Sequence, residues 1–359
     1  MISFAHLIQQ AFASGASDVH LFPHRSPSFR IDGQMLSQSN DFAPILPEEM
    51  ENLLFSLLDE KEQSVLKKEW ELDVGITQQL ADGTQVRLRA NLHRQSKGWG
   101  ASFRMIPRTV PTPDEITLEP SLRELANLSK GLVLLTGPTG SGKTTTLAAL
   151  LELINQKKKK HILTIEDPIE YILEAKKSEV TQRELGQNTH NFTTALRSAL
   201  RSDPDVLFIG EMRDLESMQL ALTASETGQL VFSTLHTPDA AQTIDRIIDV
   251  FPAAQQAMVR SQLANVLQAV VAQILLPRAD GPGRIACREI LTGTNAVRTL
   301  IRENQIHQIY GAISTGREFG MQTMEKNLVR LWEEGTILEE TAYAASTRKE
   351  TLLKIRAKM

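Results

Sequence analysis

A glycine-rich segment that ends in lysine and threonine is the part of this sequence best suited to chemistry. It reads Gly137-Pro-Thr-Gly-Ser-Gly-Lys-Thr144, and its glycines allow backbone N–H groups to turn towards an anion. In segments of this spacing the lysine reaches the β- and γ-phosphates of a nucleoside triphosphate, and the threonine hydroxyl holds Mg²⁺. We therefore predict a site for ATP and Mg²⁺. Its binding residues are Gly137, Pro138, Thr139, Gly140, Ser141, Gly142, Lys143, Thr144 and Thr145.

Acidic side chains follow two other apolar runs. Glu166 ends the run at residues 161–165, and Glu211 follows the run at residues 206–209. We call the glycine-rich segment at residues 137–144 the phosphate loop. Carboxylates at the carboxyl ends of parallel strands face the same crevice as such a loop. There they can hold Mg²⁺, directly or through water, or orient the water that attacks the γ-phosphate. Glu211 is predicted to contact the metal, and either glutamate is a candidate for the catalytic base.

Basic side chains lie near these acids. Arg201 and Arg213 flank the run before Glu211, and His236 follows the apolar run at residues 230–234. Arg201 is a candidate for balancing charge at the γ-phosphate, with pairing to a nearby carboxylate as the alternative. His236 is a candidate for sensing the γ-phosphate, with a structural hydrogen bond as the alternative.

These residues need a sheet that brings several strand ends together. Strand-like runs at 132–136, 161–165, 205–209 and 230–234 alternate with helical patterns, which predicts a largely parallel sheet covered on both faces. The apolar run before the glycine-rich segment and the helical pattern after it give a strand, a loop and a helix. Beyond residue 240 we predict mostly helix, including a buried helix over 266–276.

The first 105 residues predict a smaller α+β domain. Its pattern includes a helix at 3–14, strands near 86–90 and 101–105, and a hairpin closed by Asp32 and Gly33. A helix is expected from Pro47, with Leu53, Leu54, Leu57 and Leu58 as its apolar stripe. Residues 106–113 contain three prolines and predict a stiff linker. The domain boundaries are therefore expected at 1–105, 106–113 and 114–359.

Composition narrows the classes of function. The net charge of −4 argues against binding nucleic acid by bulk attraction. A single cysteine, Cys287, permits no internal disulfide or four-cysteine zinc site and indicates a reducing compartment. Because we find neither a signal-peptide pattern nor a sufficiently long apolar run, we expect a cytoplasmic protein that acts at a membrane through partners.

The motifs in this order resemble those of the type II secretion and type IV pilus ATPase superfamily, and within it the PilT-like pilus retraction ATPases. After the phosphate loop come Thr164-Ile-Glu-Asp-Pro-Ile-Glu-Tyr171, Gly210-Glu-Met-Arg-Asp214 and Gly228-Gln-Leu-Val-Phe-Ser-Thr-Leu-His-Thr237. The segment Ala296–Glu303 resembles the family's helix associated with retraction, and the likeness covers nearly the whole chain.

The resemblance implies a RecA-like ATPase domain, a PAS-like N-terminal domain and a homohexameric ring. It implies that Arg89 and Arg104 fall where the family supplies arginines to a neighbouring subunit's γ-phosphate, with Arg87 and Arg94 as alternatives. The implied partners are the pilus platform protein of the inner membrane and other pilus ATPases. From the net charge and the absence of a long apolar run we expect no nucleic acid partner and no direct insertion into the membrane. The implied function is ATP-driven pilus retraction for twitching motility, at the inner face of the membrane.

Two positions depart from the family pattern: Gln229 stands where the family commonly has histidine, and Thr299 replaces an asparagine of the retraction helix. Three alternatives therefore stay open. They are an assembly, secretion or DNA-uptake ATPase, an accessory motor that needs a partner ATPase, and a nucleotide-gated scaffold without significant turnover.

Overall fold

The computed structural model describes residues 3–31, 33–106 and 109–357. Its backbone contacts divide the chain into two compact units, Met1–Thr109 and Val110–Met359. Each unit has its own sheet and its own hydrophobic core. The predicted proline-rich linker spans the boundary between them, and its residues 107 and 108 lie outside the described residues.

In the described residues, the first unit is an antiparallel sheet of six strands with three helices. Its sheet order is β3-β2-β1-β6-β5-β4. In chain order the elements are α1 (Phe4–Ala13), β1 (Asp18–Leu21), β2 (Ser28–Ile31), β3 (Gln34–Ser37), α2 (Pro47–Phe55), α3 (Glu60–Glu69), β4 (Glu71–Gln79), β5 (Gln85–Gln95) and β6 (Gly98–Ile106). Together with the second unit, this sheet confirms the predicted α/β class with a smaller N-terminal domain.

Local signals explain the helices of this unit. Ser3 caps α1, and the apolar residues Phe4, Leu7, Ile8 and Ala11 of that helix are buried. Helix α2 starts at Pro47 but ends at Phe55, so the predicted stripe was wrong for Leu57 and Leu58. The Ser56 hydroxyl donates to the Leu53 carbonyl, a bond of the kind that competes with helix continuation. Strands β2 and β3 pair around the predicted hairpin turn, whose Asp32 lies outside the described residues.

The second unit contains a seven-stranded sheet in the order β13-β12-β7-β11-β10-β8-β9. All neighbouring pairs are parallel except β12 with β13. The strands are β7 (Gly131–Thr136), β8 (His161–Glu166), β9 (Glu179–Glu184), β10 (Val206–Ile209), β11 (Leu230–Thr234), β12 (Leu267–Pro277) and β13 (Arg284–Thr292).

Helices cover both faces of this sheet, as predicted. They are α4 (Pro120–Arg123), α5 (Lys143–Lys157), α6 (Phe192–Ala199), α7 (Leu215–Thr227), α8 (Ala240–Asp249), α9 (Ala253–Val266), α10 (Asn295–Arg302), α11 (Ile309–Thr315), α12 (Met324–Glu333), α13 (Glu339–Ala345) and α14 (Lys349–Arg356). Short 3₁₀ turns occupy Glu124–Asn127, Ile306–Gln308 and Arg317–Phe319. Alternate residues of β7 explain the two layers: Leu132 and Leu134 belong to one core, while Val133 and Leu135 belong to the other.

The prediction of a buried helix over 266–276 was wrong. Helix α9 ends at Val266, and β12 continues from Leu267 between β7 and β13. A central strand buried on both faces reads as a continuous apolar run, which periodicity cannot distinguish from a buried helix. The β-branched Val270 and Val271 favour the strand. The prediction of mostly helix beyond residue 240 therefore fails for β12 and β13.

Two further observations concern the whole described chain. Among the described residues, no helix combines the length and the apolar character needed to cross a bilayer. The thiol of Cys287 is fully buried in β13, and this burial raises its pKa far above the ordinary value.

Candidate nucleotide-binding site

The glycine-rich segment forms a loop between β7 and α5. Lys143 is the first residue of α5, and Gly142 caps the helix with φ of 82°, a left-handed conformation that glycine adopts without strain. The free N–H groups and the dipole of the helix N-terminus point into this loop. The second unit thus contains the strand, loop and helix predicted for phosphate binding.

Strand β12 supports the loop from the side. A Cβ atom at Gly137 would lie 2.2 Å from the Gln273 carbonyl oxygen, and the φ of Gly137 is 136°. The Gln273 side chain also donates to the Ser141 carbonyl over 2.7 Å. Gly137 is therefore needed for a close backbone approach, and Gln273 contacts the loop at both of its ends.

Lys143 lies in the mouth of the loop. Its ammonium donates to the carbonyls of Gly137, at 2.7 Å, and Pro138, at 3.0 Å, and the residue is 7% exposed. Burial lowers the lysine pKa, while the negative charges of Glu211 and Glu170 act in the opposite direction. The loop therefore holds a partly desolvated cation beside two carboxylates, with polar donors suited to phosphate oxygens.

Parallel pairing brings the predicted strand ends to one edge of the sheet. Ile209 pairs with both Ile165 and Ser233, and Thr234 pairs with Leu135. The residues that follow these positions include the phosphate loop, Glu166, Glu211 and His236. This is the arrangement that the alternating sequence pattern predicted.

Glu211 is the centre of a small charged cluster at this edge. Its carboxylate lies 2.9 Å from the Nε of Arg213 and 3.3 Å from the Nε2 of His236. Its side chain is 27% exposed. A carboxylate that is accessible, near the lysine of the glycine-rich loop and held by two basic groups can bind a hydrated cation or orient a water molecule.

Glu166 has a different environment, because it is 95% buried. The Thr164 hydroxyl donates to its carboxylate over 2.7 Å, and the Gln182 amide donates over 3.2 Å. Burial outweighs these bonds and raises the pKa of Glu166 to about 7. Near neutral pH this carboxyl group can therefore exchange a proton, which is a property of general acids and bases.

The threonines around the site divide into two roles. Thr144 and Thr145 occupy the first turn of α5, and the Thr145 hydroxyl lies 3.1 Å from that of Tyr171. Thr234 donates to the Gly210 carbonyl over 2.6 Å, and Thr136 donates to the Thr237 carbonyl over 2.6 Å. Thr234 and Thr136 tie neighbouring strand ends together and so shape the crevice. Thr144 and Thr145 line it.

Arg201 lies at the amino-terminal ends of the parallel strands, opposite the ends that carry the phosphate loop and Glu211. It precedes β10, next to Asp203, whose carbonyl contacts His161 at the start of β8. A four-residue strand spans roughly 13 Å, so Arg201 is separated from Lys143 by the length of β10. The prediction that Arg201 balances charge at the γ-phosphate does not fit the geometry of a single chain.

Gln229, the position where the resembling family commonly has histidine, is also distant from the phosphate loop. It precedes β11, and its side-chain carbonyl accepts a bond from Thr227 at the end of α7. Its carbonyl accepts from Gly131 at the start of β7. Gln229 therefore belongs to the amino-terminal edge of the sheet, and His236 to the carboxyl-terminal edge.

Arg89 and Arg104 lie in the first unit, directly opposite each other on β5 and β6. Like charges in directly opposed positions destabilise a sheet. Asp18 compensates in part, because its carboxylate accepts from the Arg104 Nε over 3.0 Å. The Arg104 side chain remains 64% exposed, so its guanidinium is available to a further anion.

Sequence reasoning missed two parts of this region. One is Gln273: a glutamine inside an apolar run is a detectable signal, but a helix over 266–276 does not place it at the loop. The other is a cavity of about 660 Å³ beside Pro138 and His236. Its walls include Glu289, which is 95% buried and has its pKa raised to about 7 by that burial. No spacing pattern connects these cavity residues, since they come from separate elements.

Comparisons with known proteins match nearly the whole chain. The family model described as "Type II/IV secretion system protein" matches residues 2–358. The type IV pilus retractation ATPase PilT of Pseudomonas aeruginosa is 45% identical over 95% of this chain and 97% of its own length. A twitching motility protein of Neisseria gonorrhoeae is 45% identical over 91% of this chain and 86% of its own length.

A solved structure of the pilus retraction motor PilT with bound ADP has the same fold. It superposes with a TM-score of 0.90 at 41% identity, covering 99% of this chain and all of that one. The fold predicted from the motifs, a RecA-like ATPase domain with a smaller N-terminal domain, is confirmed by this match.

Proposed function

Because the chain belongs to the type II/IV secretion system protein family and is PilT-like, we propose that it is an ATPase motor that drives retraction of type IV pili. The observation that carries the proposal is the meeting of Lys143, Glu211 and His236 at one sheet edge. The full-length similarity to a pilus retractation ATPase and to a motor solved with ADP supports this reading of the edge.

The phosphate loop is the proposed binding site for ATP. Lys143 exchanges its bonds to the loop carbonyls for bonds to phosphate oxygens, and the N–H groups of the loop and of the start of α5 complete the cradle. Thr144 and Glu211 are the residues that would hold Mg²⁺. When bound, Mg²⁺ neutralises phosphate charge.

Hydrolysis requires a group that orients the attacking water. Glu211 suits this role because it is accessible and lies beside Lys143 and His236. Glu166 suits proton exchange because its pKa lies near 7. We propose Glu211 as the residue that orients water and Glu166 as the second catalytic glutamate, with His236 keeping the Glu211 carboxylate in place.

In this proposal, the arginine that stabilises negative charge on the γ-phosphate during hydrolysis comes from another copy of the chain. Arg104 and Arg89 are exposed enough to reach an anion from outside their own unit. In a homohexameric ring they would approach a neighbour's γ-phosphate, and an arginine of this kind contributes about 10³–10⁵ in rate. The cycle of binding and hydrolysis then moves a platform protein of the inner membrane, on whose cytoplasmic side the motor works.

The test is a gene deletion scored for surface pili and twitching. We expect the deleted strain to carry excess pili and to lose twitching, and the wild-type gene to restore both. Lys143→Ala and Glu211→Gln should fail to restore them, while Lys61→Ala, a change at an exposed lysine of α3, should succeed. In the purified protein, Lys143→Ala should lose ATP turnover, whereas Glu211→Gln should bind ATP without hydrolysing it.

Two outcomes would contradict the proposal. A deleted strain without pili would indicate a motor for assembly. Near-normal ATP turnover in Lys143→Ala would show that the phosphate loop is not the hydrolytic site.

A further inference from the structure

A continuous set of hydrogen bonds, buried around Gln273 and partly buried beyond Arg288, leads from the phosphate loop to the segment at which the chain enters the second unit. It begins at Gln273, which is 1% exposed. The Gln273 amide donates to the Ser141 carbonyl over 2.7 Å, and its carbonyl accepts from the Thr146 hydroxyl over 2.9 Å. Ser141 lies in the loop and Thr146 in the first turn of α5, so a shift of the loop must displace the Gln273 side chain or break these bonds.

Arg288 continues the set. Its guanidinium Nε donates to the side-chain oxygen Oε1 of Gln273 over 2.7 Å, and Arg288 is 1% exposed. On its other side the guanidinium donates to the Glu119 carboxylate over 2.8 Å. It also donates to the backbone carbonyls of Ile116 and Thr117, each over 3.2 Å. One buried arginine therefore joins the support of the phosphate loop to residues 116–119.

Residues 116–119 include a strained backbone. Thr117 has φ of 46°, a left-handed conformation that is an outlier for a β-branched residue and strains the backbone. Such a conformation persists only where its surroundings hold it, and the Thr117 carbonyl is one of the groups that Arg288 holds. We therefore expect residues 116–119 to change conformation when Arg288 moves.

Stability alone does not account for this arrangement. A buried ion pair such as Arg288 with Glu119 contributes little net stability compared with apolar residues of similar volume. Glu119 also leaves one buried carboxylate oxygen without a hydrogen bond among the described residues. Because this polar network contributes little net stability and leaves a buried oxygen without a hydrogen bond, a role in positioning explains it better.

We propose that Gln273 and Arg288 are positioning residues that couple nucleotide occupancy of the phosphate loop to the conformation of residues 116–119. The inference rests on the proposed nucleotide site. When phosphate draws the loop towards itself, the Ser141 carbonyl, Gln273 and Arg288 shift together, and the hold on Thr117 changes. The coupling is carried by direct contacts, from a ligand site to the segment that follows the proline-rich linker.

Hydrogen exchange on the full chain tests this proposal. In the wild type, adding ADP or a slowly hydrolysed ATP analogue with Mg²⁺ should change the exchange rate of the amides at 116–119 by about fivefold or more. Arg288→Met should abolish that change while nucleotide still protects the phosphate loop. Gln273→Leu should abolish it and also weaken nucleotide binding by about tenfold, because the loop loses a buried donor.

Two variants serve as controls. Arg298→Met removes an arginine that also donates to partly buried backbone carbonyls, those of Gly293 and Ala264, but that makes no hydrogen bond to the phosphate loop in the described structure. It should leave the response at 116–119 intact. Arg288→Met combined with Glu119→Gln removes the uncompensated charge, so it tests the coupling even if the single variant folds poorly.

The outcomes separate this inference from the proposed function. If nucleotide protects the loop but does not change exchange at 116–119 in the wild type, the coupling is wrong and the nucleotide site stands. The coupling is also wrong if the response persists in both Arg288 variants, or if Arg298→Met removes it equally. If nucleotide protects neither region, the proposed function itself fails.

Discussion

The two glutamates at the sheet edge differ chiefly in their access to water. Glu211 is reached by solvent and is surrounded by Arg213 and His236, whereas Glu166 is 95% buried with two hydrogen-bond donors. Because burial raises the pKa of Glu166 to about 7, keeping this residue ionised above that pH costs about 3 kcal/mol. A charge of that cost beside a phosphate site is consistent with the catalytic role proposed for it.

The pKa of Glu166 makes a prediction about stability and pH. The folded state holds the proton more tightly than the unfolded state, so its contribution is present at low pH and is lost as pH rises through about 7. Glu166→Gln should therefore raise the melting temperature by several degrees at pH 8.5 and by little at pH 5. Thermal scans across this range test it, with the exposed Glu179→Gln as control. A shift that does not depend on pH would contradict the assigned environment.

At the scale of elements, β12 acts as a support for the phosphate loop. Its backbone passes directly under Gly137, and its neighbour β7 leads into the loop. The sequence predicted the loop, α5 and the four strands whose ends meet, because glycines and polar residues mark their boundaries. It did not predict β12, because an apolar run of eleven residues with two glutamines fits a buried helix equally well.

This support predicts different costs for two glycines of the loop. Gly137→Ala should place a Cβ atom against the Gln273 carbonyl, in a backbone conformation with φ of 136°. We expect nucleotide binding to fall by more than tenfold, because the loop must move. Gly140→Ala meets no atom within 4 Å, so its positive φ should lower the folding stability by about 1–2 kcal/mol while nucleotide binding falls far less than in Gly137→Ala. Titration with a fluorescent nucleotide measures both; equal losses would show that contact with β12 is unimportant.

At the scale of the molecule, the two units carry different parts of the proposed site. Lys143, Glu211 and Glu166 belong to the second unit, and Arg89 and Arg104 belong to the first. The motif resemblance predicted this division. The exposure of Arg104 and its pairing with Asp18 needed the structure, because they depend on the register between β1 and β6.

A mixing experiment tests whether Arg104 acts on a neighbouring copy. Arg104→Ala and Lys143→Ala are each expected to be inactive, but a ring that contains both has some interfaces with an intact lysine and an intact arginine. Random equal mixing in a head-to-tail ring gives about one quarter of such interfaces, so ATP turnover should partly recover. Mixing Lys143→Ala with the double variant is the control. Absence of recovery at any ratio would argue against Arg104, and Arg89→Ala would then be tried in the same way.

The buried thiol of Cys287 has a practical consequence for watching such a motor at work. It is the sole cysteine of the chain and is fully enclosed, and burial keeps it in the protonated form that reacts poorly with alkylating dyes. The natural sequence is thus its own unlabelled background. Cysteines introduced on the surface of each unit would take fluorophores selectively, and energy transfer between them would follow the stroke of single molecules in real time.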